Sequence, residues 1–241
     1  NEIGVYRRSF EIPESYEGKE IFIHFGAVKA GFFLYINGRR VGYSQGSMTP
    51  AEFRITDYVK IGENKITVEV FRYTDGTYLE DQDMWFLSGI YRDVYVYAEE
   101  KLCIRDFFAD ATLDDTYKNG VLNLEITLNN YNADAQNCTL EAALIIDDKP
   151  RKIAVEKVRV ENGRTVFNYT LVEENIRAWS AEEPNLYKLI LALRVGRKVL
   201  SVKCIRIGFK KVEIKDGVLV MQPDKPNVYG NYDPGIKLGG L

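Results

Sequence analysis

The chain has 241 residues, of which 46% are hydrophobic and 28% are charged, a balance typical of folded globular proteins. Its net charge of −3 offers no basic surface for nucleic acid, and no apolar run approaches the roughly 20 residues that span a bilayer. We therefore expect neither nucleic acid nor a membrane as a partner. The length is natural for two β domains.

Alternation of apolar and polar residues with period two runs through the first hundred residues and predicts short strands. Asn37-Gly38 is the strongest hairpin signal, because both residues of such a turn adopt positive φ. Asp75-Gly76 predicts a second turn. The predicted strands cover residues 5–12, 20–25, 31–36, 39–44, 51–56, 64–73 and 91–98. Turn signals between most of these strands favour a sandwich or a barrel over an α/β fold.

A second series of strands begins after the polar stretch at residues 98–101. Seven alternating segments predict strands at residues 102–112, 121–131, 138–146, 152–160, 164–172, 187–195 and 198–209. Seven strands over this length are typical of an immunoglobulin-like sandwich, although the Cys-Trp-Cys pattern of antibody domains is absent. A short strand pair across Asp216-Gly217 follows. Residues 222–241 are rich in Pro and Gly and predict a linker or an irregular end.

Cysteine and histidine offer no catalytic or metal-binding pattern. Cys103, Cys138 and Cys204 are far apart, which excludes paired zinc spacings and favours reduced thiols on strands. The single histidine, His24, lies inside a predicted strand and is expected to have a structural role. The chain also lacks a Gly-rich phosphate loop and a Gly-x-Ser-x-Gly nucleophile elbow.

The stretch "LEDQDMWFL" places the carboxylates Glu80, Asp81 and Asp83 directly before the large apolar residues 84–87. Three interpretations are open. The carboxylates could be a solvated loop, could accept backbone N–H groups at a turn, or could bind a hard cation through their oxygens. The spacing does not match the twelve-residue calcium loop.

Residues 44–97 closely resemble the sugar-binding, jelly-roll domain of the β-galactosidases of glycoside hydrolase family 2. The resemblance is most specific at Leu-Glu-Asp-Gln-Asp-Met-Trp, residues 79–85, and includes the upstream segment 28–44. Residues 179–193 are similar to the end of the family's immunoglobulin-like domain, and residues 207–221 to the segment that leads into its catalytic barrel. One departure is Phe86, which stands where the family pattern has Arg.

The resemblance implies an all-β chain: a jelly-roll-like sandwich at residues 1–98, an immunoglobulin-like β-sandwich at 99–208, and a linker with an irregular tail at 209–241. It implies that the jelly roll lacks its first strands. It further implies the N-terminal part of a retaining β-galactosidase that hydrolyses terminal β-D-galactosides. The two catalytic glutamates of such enzymes lie on the barrel, so the chain alone is expected to be inactive. The alternative hypothesis is a free-standing carbohydrate-binding or scaffold module.

The resemblance assigns one site residue, Asp83, as a sodium ligand that also contacts the substrate's 6-hydroxyl. The remaining sodium ligands are expected on the barrel, so the site in this chain is incomplete. Glu80, Asp81 and Trp85 are expected to support the loop, with Met84-Trp85 anchoring it in the sandwich. The parent enzyme is expected to use sodium and magnesium, to bind a β-galactoside and to form a homo-oligomer. The resemblance does not decide whether the parent enzyme lies in the bacterial cytoplasm or in the periplasm.

Overall fold

The computed structural model describes residues 2–80, 82–83, 85–147, 149–215 and 218–221. The chain divides into two compact units, residues 1–101 and residues 102–241. Almost all regular structure in the described residues is antiparallel β-strand, which confirms the all-β prediction. The helical elements described are one short α-helix, α1 (Gly76–Leu79), and single 3₁₀ turns at Glu14–Tyr16 and Thr56–Tyr58.

The first unit is a sandwich of two antiparallel sheets with a small additional strand pair. The strands are β1 (Ile3–Ile12), β2 (Glu20–Phe25), β3 (Val28–Lys29), β4 (Gly31–Ile36), β5 (Arg39–Gln45), β6 (Ala51–Arg54), β7 (Gly62–Phe71), β8 (Gly89–Ile90) and β9 (Val94–Glu99). One sheet has the order β1-β7-β4-β5, and the other has the order β6-β2-β9. Strands β3 and β8 form the separate pair.

The core of this unit lies between its two sheets, because every second residue of the central strands is apolar and points inward. Phe25 and Phe32 are fully buried, and their ring centroids lie 4.8 Å apart. The buried core side chains of the three central strands are Ile21, Ile23, Phe25, Phe32, Leu34, Ile36, Ile66, Val68 and Val70. This alternation explains why β2 and β4 were predicted with their observed bounds.

The two predicted turns of this unit have different outcomes. The Asn37-Gly38 turn is confirmed, with φ of 51° and 78° at its two residues. Asp75-Gly76 does not form a hairpin turn. Asp75 is instead the N-cap of α1, and its side chain accepts a hydrogen bond of 2.9 Å from the Gly76 N–H. Aspartate is favoured both in turns and at N-caps, so the dipeptide alone does not distinguish them.

The second unit contains a sandwich of a three-stranded and a four-stranded sheet. Its strands are β10 (Leu102–Leu113), β11 (Gly120–Asn130), β12 (Gln136–Ile146), β13 (Lys149–Val160), β14 (Gly163–Glu173), β15 (Tyr187–Val195), β16 (Lys198–Ile207), β17 (Val212–Lys215) and β18 (Val218–Met221). The sheet orders are β10-β11-β14 and β13-β12-β15-β16. The predicted pairing of β17 with β18 is confirmed. The intervening Asp216-Gly217, and the tail at residues 222–241, lie outside the described residues.

The core of the second unit is built from alternating leucines and includes one cysteine. Its strand residues include Leu122, Leu124, Ile126, Leu128, Leu140, Leu144, Leu189, Leu191 and Leu193. Cys103 and Cys138 are buried and Cys204 is exposed, and the structure joins none of the three in a disulfide. Burial raises the pKa of Cys138 to about 11, so this thiol stays protonated at neutral pH and is a poor nucleophile.

Asn64 is a buried polar residue that ties the Asn37-Gly38 hairpin to the start of β7. Its amide nitrogen donates to the Lys60 and Gly62 carbonyls at 2.7 and 2.9 Å, and its oxygen accepts from the Lys60 N–H at 3.0 Å. The same oxygen accepts from the Asn37 amide at 2.8 Å. One side chain therefore satisfies several backbone and side-chain groups at once.

We predict that Asn64→Ala lowers the free energy of unfolding of this unit by about 2–4 kcal/mol, because several groups are left without partners in a buried position. Urea denaturation measures the change. The matched control is Glu63→Ala, which removes the exposed side chain next to Asn64 and should change stability by less than about 0.5 kcal/mol. Equal losses in the two variants would contradict a specific role for Asn64.

Asp114 organises the loop between β10 and β11. Its Oδ1 accepts hydrogen bonds from the Thr116 hydroxyl at 2.8 Å and from the Thr116, Lys118 and Asn119 N–H groups, and its Oδ2 accepts from the Asn119 amide at 2.7 Å. These bonds, that of Thr116 first, favour the ionised carboxylate and lower the pKa of Asp114 to about 2.

We predict that Asp114→Asn destabilises the second unit at neutral pH, and that the difference from the unchanged chain narrows as pH falls from about 4 to about 2. The Asp114 carboxylate has a lower pKa in the folded chain than in the unfolded chain, so its ionised form stabilises the fold. This stabilisation is fully present above the unfolded-state pKa and is lost as pH falls through the folded-state pKa. Urea denaturation at several pH values measures the difference in free energy of unfolding between the variant and the unchanged chain. The control Asp115→Asn changes an exposed neighbour whose ion pair with Lys211 lies at the surface, and it should show a smaller pH-dependent effect than Asp114→Asn. If the difference in free energy of unfolding between Asp114→Asn and the unchanged chain did not change with pH, the prediction would be wrong.

Candidate functional site

Asp83 lies on the connection that leads from α1 to β8. The start of this connection is fixed by local hydrogen bonds: Asp75 caps α1, and the Thr77 hydroxyl accepts the Thr74 N–H at 3.0 Å. Thr77 is itself buried. The chain therefore leaves the sheet along a defined path before it reaches the carboxylates.

Glu80 fastens the end of α1 to the loop after β5. Its carboxylate accepts a 2.5 Å hydrogen bond from the Ser47 hydroxyl and two longer bonds from the Ser47 N–H. Ser47 is buried, and its carbonyl accepts a hydrogen bond from the Tyr91 hydroxyl on the far side of the connection. Glu80 thus has the supporting role expected of it. It matches the interpretation in which a carboxylate accepts hydrogen bonds at a turn.

Asp83 is different, because its side chain is exposed to solvent. It makes no hydrogen bond or ion pair with the residues that the structure describes. Asp81, the third carboxylate of the stretch, lies outside the described residues. The acidic stretch therefore contains one carboxylate that holds the loop and another that the loop presents to its surroundings.

Lys29, on β3, contacts the second half of the connection at Trp85 and Phe86. Only 7% of this residue is exposed, although it is a lysine. Its ammonium group donates to the Trp85 carbonyl at 3.4 Å and lies 4.9 Å from the centre of the Phe86 ring. A cation over an aromatic face is attracted by the ring's negative face. Phe86, which stands where the family pattern has Arg, therefore provides a contact for this lysine.

The sequence-based expectation that Met84-Trp85 anchors the loop in the sandwich is wrong for Trp85. This tryptophan is 83% exposed, and Met84 lies outside the described residues. The loop does not need a buried indole ring, because Glu80 and Lys29 hold it from either side of Asp83 through polar contacts. Large apolar side chains are exposed along this connection instead, namely Tyr78, Leu79, Trp85, Phe86 and Leu87.

The site offers a hard oxygen donor and no catalytic pair. A carboxylate such as Asp83 suits sodium or magnesium, but one ligand does not complete the shell of either ion. Among the described residues no three His, Cys, Asp or Glu side chains lie close enough together to hold a metal ion. The described residues around Asp83 therefore do not form a complete cation site by themselves.

His24 has the structural role that was expected from the sequence. Its ring stacks on Tyr95 with a centroid distance of 4.8 Å, and its Nδ1 lies 3.4 Å from a Glu52 carboxylate oxygen. The same oxygen accepts a 2.6 Å hydrogen bond from the Tyr97 hydroxyl. No serine or cysteine hydroxyl or thiol is described as a partner of His24, so the described contacts do not form a nucleophile–base pair.

Sequence reasoning missed Lys29 on β3 and Ser47 in the loop after β5, the two residues that contact this connection from other parts of the unit. Lys29 lies 56 residues from Trp85, and Ser47 lies 33 residues from Glu80. Ser47 does stand inside the stretch that carries the family resemblance, which was its available signal. Lys29 also lies in a resembling segment, residues 28–44, but no strand is predicted around it and nothing in the sequence indicates its contact with Trp85.

Comparison with known proteins covers both units. The family model described as "Glycosyl hydrolases family 2, sugar binding domain" matches residues 1–100, and the model described as "Glycosyl hydrolases family 2" matches residues 102–210.

In the described part of the chain, no helix is long and apolar enough to cross a membrane.

Curated relatives named beta-galactosidase align with almost the whole chain. The protein of Priestia megaterium is 37% identical over 227 residues, and that of Clostridium acetobutylicum is 38% identical over 224 residues. Each alignment covers 92% of this chain, but only 22% and 24% of the respective relative. The chain thus spans less than a quarter of the length of these relatives.

Solved structures share the fold. A β-glucuronidase of Bacteroides uniformis superposes with a TM-score of 0.84 at 20% identity, over 91% of this chain and 28% of that one. A β-glycosidase from Bacteroides vulgatus gives a TM-score of 0.73 at 21% identity, over 91% of this chain and 27% of that one. At this identity the likeness concerns the fold alone. With two models of one family matching consecutive segments over residues 1–210, the chain belongs to glycoside hydrolase family 2.

Proposed function

We propose that this chain is the sugar-binding and immunoglobulin-like part of a retaining β-galactosidase that hydrolyses terminal β-D-galactosides. The observation that carries the proposal is the exposed Asp83 carboxylate, held on a loop that Glu80 and Lys29 fix on either side. The beta-galactosidase relatives, which align over 92% of the chain, support the choice of galactoside.

The chemistry of such an enzyme requires two carboxylates about 5–5.5 Å apart, one as nucleophile and the other as acid and base. We expect both on a catalytic barrel outside these 241 residues. This chain's contribution is binding and positioning. Asp83 accepts a hydrogen bond from a sugar hydroxyl and provides one oxygen ligand to a sodium ion, whose other ligands lie on the barrel. The ion, when bound, supplies a fixed positive charge beside the sugar.

The fixed geometry of the loop matters for this role. A ligand group must be held close to its productive position, because small displacements weaken binding and slow the reaction. Glu80, at the end of α1, is bonded to Ser47 in the loop after β5, and Lys29 on β3 is bonded to the Trp85 carbonyl, so Asp83 lies between two attachment points. The rest of the enzyme is the proposed partner of the exposed side chains Tyr78, Leu79, Trp85 and Leu87, since apolar groups clustered on a surface mark an interaction site.

We predict that the isolated chain does not hydrolyse nitrophenyl β-galactoside, since both catalytic carboxylates are expected elsewhere. A chromogenic assay on the purified chain measures this, and clear turnover would contradict the proposal.

Titration of the same sample with lactose, followed by calorimetry, tests the alternative function of a carbohydrate-binding module. Binding in the millimolar range or tighter would favour a free-standing carbohydrate-binding module.

We predict that Asp83→Asn in the complete enzyme lowers kcat/KM for a β-galactoside about 10–100-fold, because a hydrogen bond to a charged group contributes about 1.5–3 kcal/mol. The change should also remove stimulation by sodium relative to potassium, measured as the rate against salt concentration.

The matched control for that experiment is Asp75→Asn, at the N-cap of α1 before the same connection. An asparagine oxygen still accepts the Gly76 N–H, so the cap of α1 is kept and activity should stay near that of the unchanged enzyme. If Asp83→Asn and Asp75→Asn had equal effects, the special role of Asp83 would be refuted.

A further inference from the structure

One face of the three-stranded sheet β10-β11-β14 turns away from the core of the second unit. Phe107 and Ala109 on β10 pack against that core, so Phe108 between them points outward. Directly paired residues lie on the same face, so the strand register extends this outer face across β11 and β14. Its exposed side chains include those of Asp106, Phe108 and Asp110 on β10 and of Arg164, Val166 and Val172 on β14.

Phe108 is the large apolar side chain of the outer face. It is 68% exposed, and Glu125 lies directly opposite it on β11. Val166 and Val172 add exposed apolar surface on β14. Single exposed apolar residues are common on proteins, so the ring alone indicates no partner. It becomes informative because a hollow lies beside it on the same face.

The hollow has a volume of about 370 Å³, which is sufficient for a phenyl ring. The five residues that line it come from all three strands and are Arg105, Asp106, Thr127, Asn129 and Arg164. Thr127 is only 5% exposed although it belongs to the outer face, and its hydroxyl accepts a hydrogen bond from the Arg164 guanidinium at 3.3 Å. Asp106, at the near side of the hollow, is two residues from Phe108 along β10.

The charges of the outer face differ between its two ends. The carboxylates of Asp110 and Glu125 lie on the side of Phe108, whereas the guanidinium groups of Arg105 and Arg164 border the hollow. Asp106 also borders the hollow, where its carboxylate accepts the Phe107 N–H at 2.9 Å. A protruding ring beside carboxylates, and a hollow beside guanidinium groups, make this face complementary to a copy of itself.

We infer that the outer face is a contact surface between two copies of this chain, related by a two-fold axis that lies parallel to the sheet and passes between Phe108 and the hollow. Each Phe108 ring enters the hollow of the other copy, where an arginine guanidinium is attracted to the aromatic face. Every contact of a two-fold interface occurs twice, so one ring and one hollow on each copy are sufficient.

The same axis brings Asp110 of each copy near Arg164 of the other, because each of these residues lies one pleat further from the axis than the groups in contact. Asp110 accepts a 3.4 Å hydrogen bond from the Asn123 amide, and Arg164 donates to Thr127. A carboxylate has further lone pairs and a guanidinium has five N–H groups, so both can form an ion pair in addition.

The size of the outer face indicates a weak dimer. Three strands of about 11 residues, spaced about 4.8 Å apart, present roughly 500 Å² per copy. Two copies would bury about 1,000 Å² in total, which is at the lower end for specific interfaces. We therefore expect a dissociation constant of about 10–500 µM.

The first test is sedimentation equilibrium of the 241-residue chain at several concentrations up to about 500 µM. We expect a monomer–dimer equilibrium in the stated range, and Phe108→Ser should weaken it at least tenfold because the inserted ring is lost. A chain that stays monomeric at about 500 µM would overturn the inference, and so would a dimer that Phe108→Ser does not weaken. The inference does not rest on the proposed galactosidase function, because the experiment measures association and not catalysis.

The second test uses the two-fold symmetry of the contact. Asp110→Arg places two positive charges together in each dimer contact, and Arg164→Asp places two negative charges together, so each variant alone should dimerise at least tenfold more weakly. A mixture of the two variants restores an opposite-charge pair at both contacts and should associate nearly as well as the unchanged chain. Both residues are exposed, so both variants should fold. Failure of the mixture to associate better than either variant alone would overturn the inference.

Two controls separate this surface from other exposed apolar residues. Val155→Ser changes an exposed valine on β13, in the other sheet of the same unit, and Trp85→Ser changes the exposed tryptophan of the Asp83 connection. Both variants should dimerise with the dissociation constant of the unchanged chain. If Trp85→Ser or Val155→Ser weakened the dimer as much as Phe108→Ser, the inference would be overturned.

Discussion

Burial of one face of every sheet is the constraint on which the rest of this structure depends. A strand sends successive side chains to opposite faces, so an apolar core between two sheets requires an apolar residue at every second position. Each buried leucine, isoleucine or phenylalanine contributes about 1.5–3 kcal/mol relative to an exposed one. Both units meet this requirement with separate sets of core residues, and the connections between strands are left to carry other chemistry.

The same constraint explains which parts of the fold could be predicted from the sequence. The strands β2, β4 and β15 have the predicted bounds because their alternation is regular and their ends carry turn residues. The Asn37-Gly38 hairpin was predictable because its conformation depends on two adjacent residues. Local rules were insufficient at Asp75-Gly76, since aspartate suits both a turn and an N-cap.

The candidate site was predictable in part, and the limit is again physical. The family motif located Asp83 and gave Glu80 its supporting role, but neither alternation nor motif identified the partners that hold the loop. Ser47 and Lys29 are distant in sequence, and their contacts exist only once β3, β5 and α1 have been brought together. The prediction was wrong for Trp85 because tryptophan is well buried on average, whereas this one is exposed and contacts Lys29 through its backbone carbonyl.

Polar attachment of this loop has a functional consequence that an apolar anchor would not have. If Trp85 were buried in the sandwich, its large surface would hold the chain near the core and leave little apolar surface exposed. With Glu80 bonded to Ser47 and the Trp85 carbonyl bonded to Lys29, the indole ring and its apolar neighbours stay exposed. An exposed carboxylate next to exposed apolar side chains is what the proposed role of this loop, as one part of a site that another domain completes, requires.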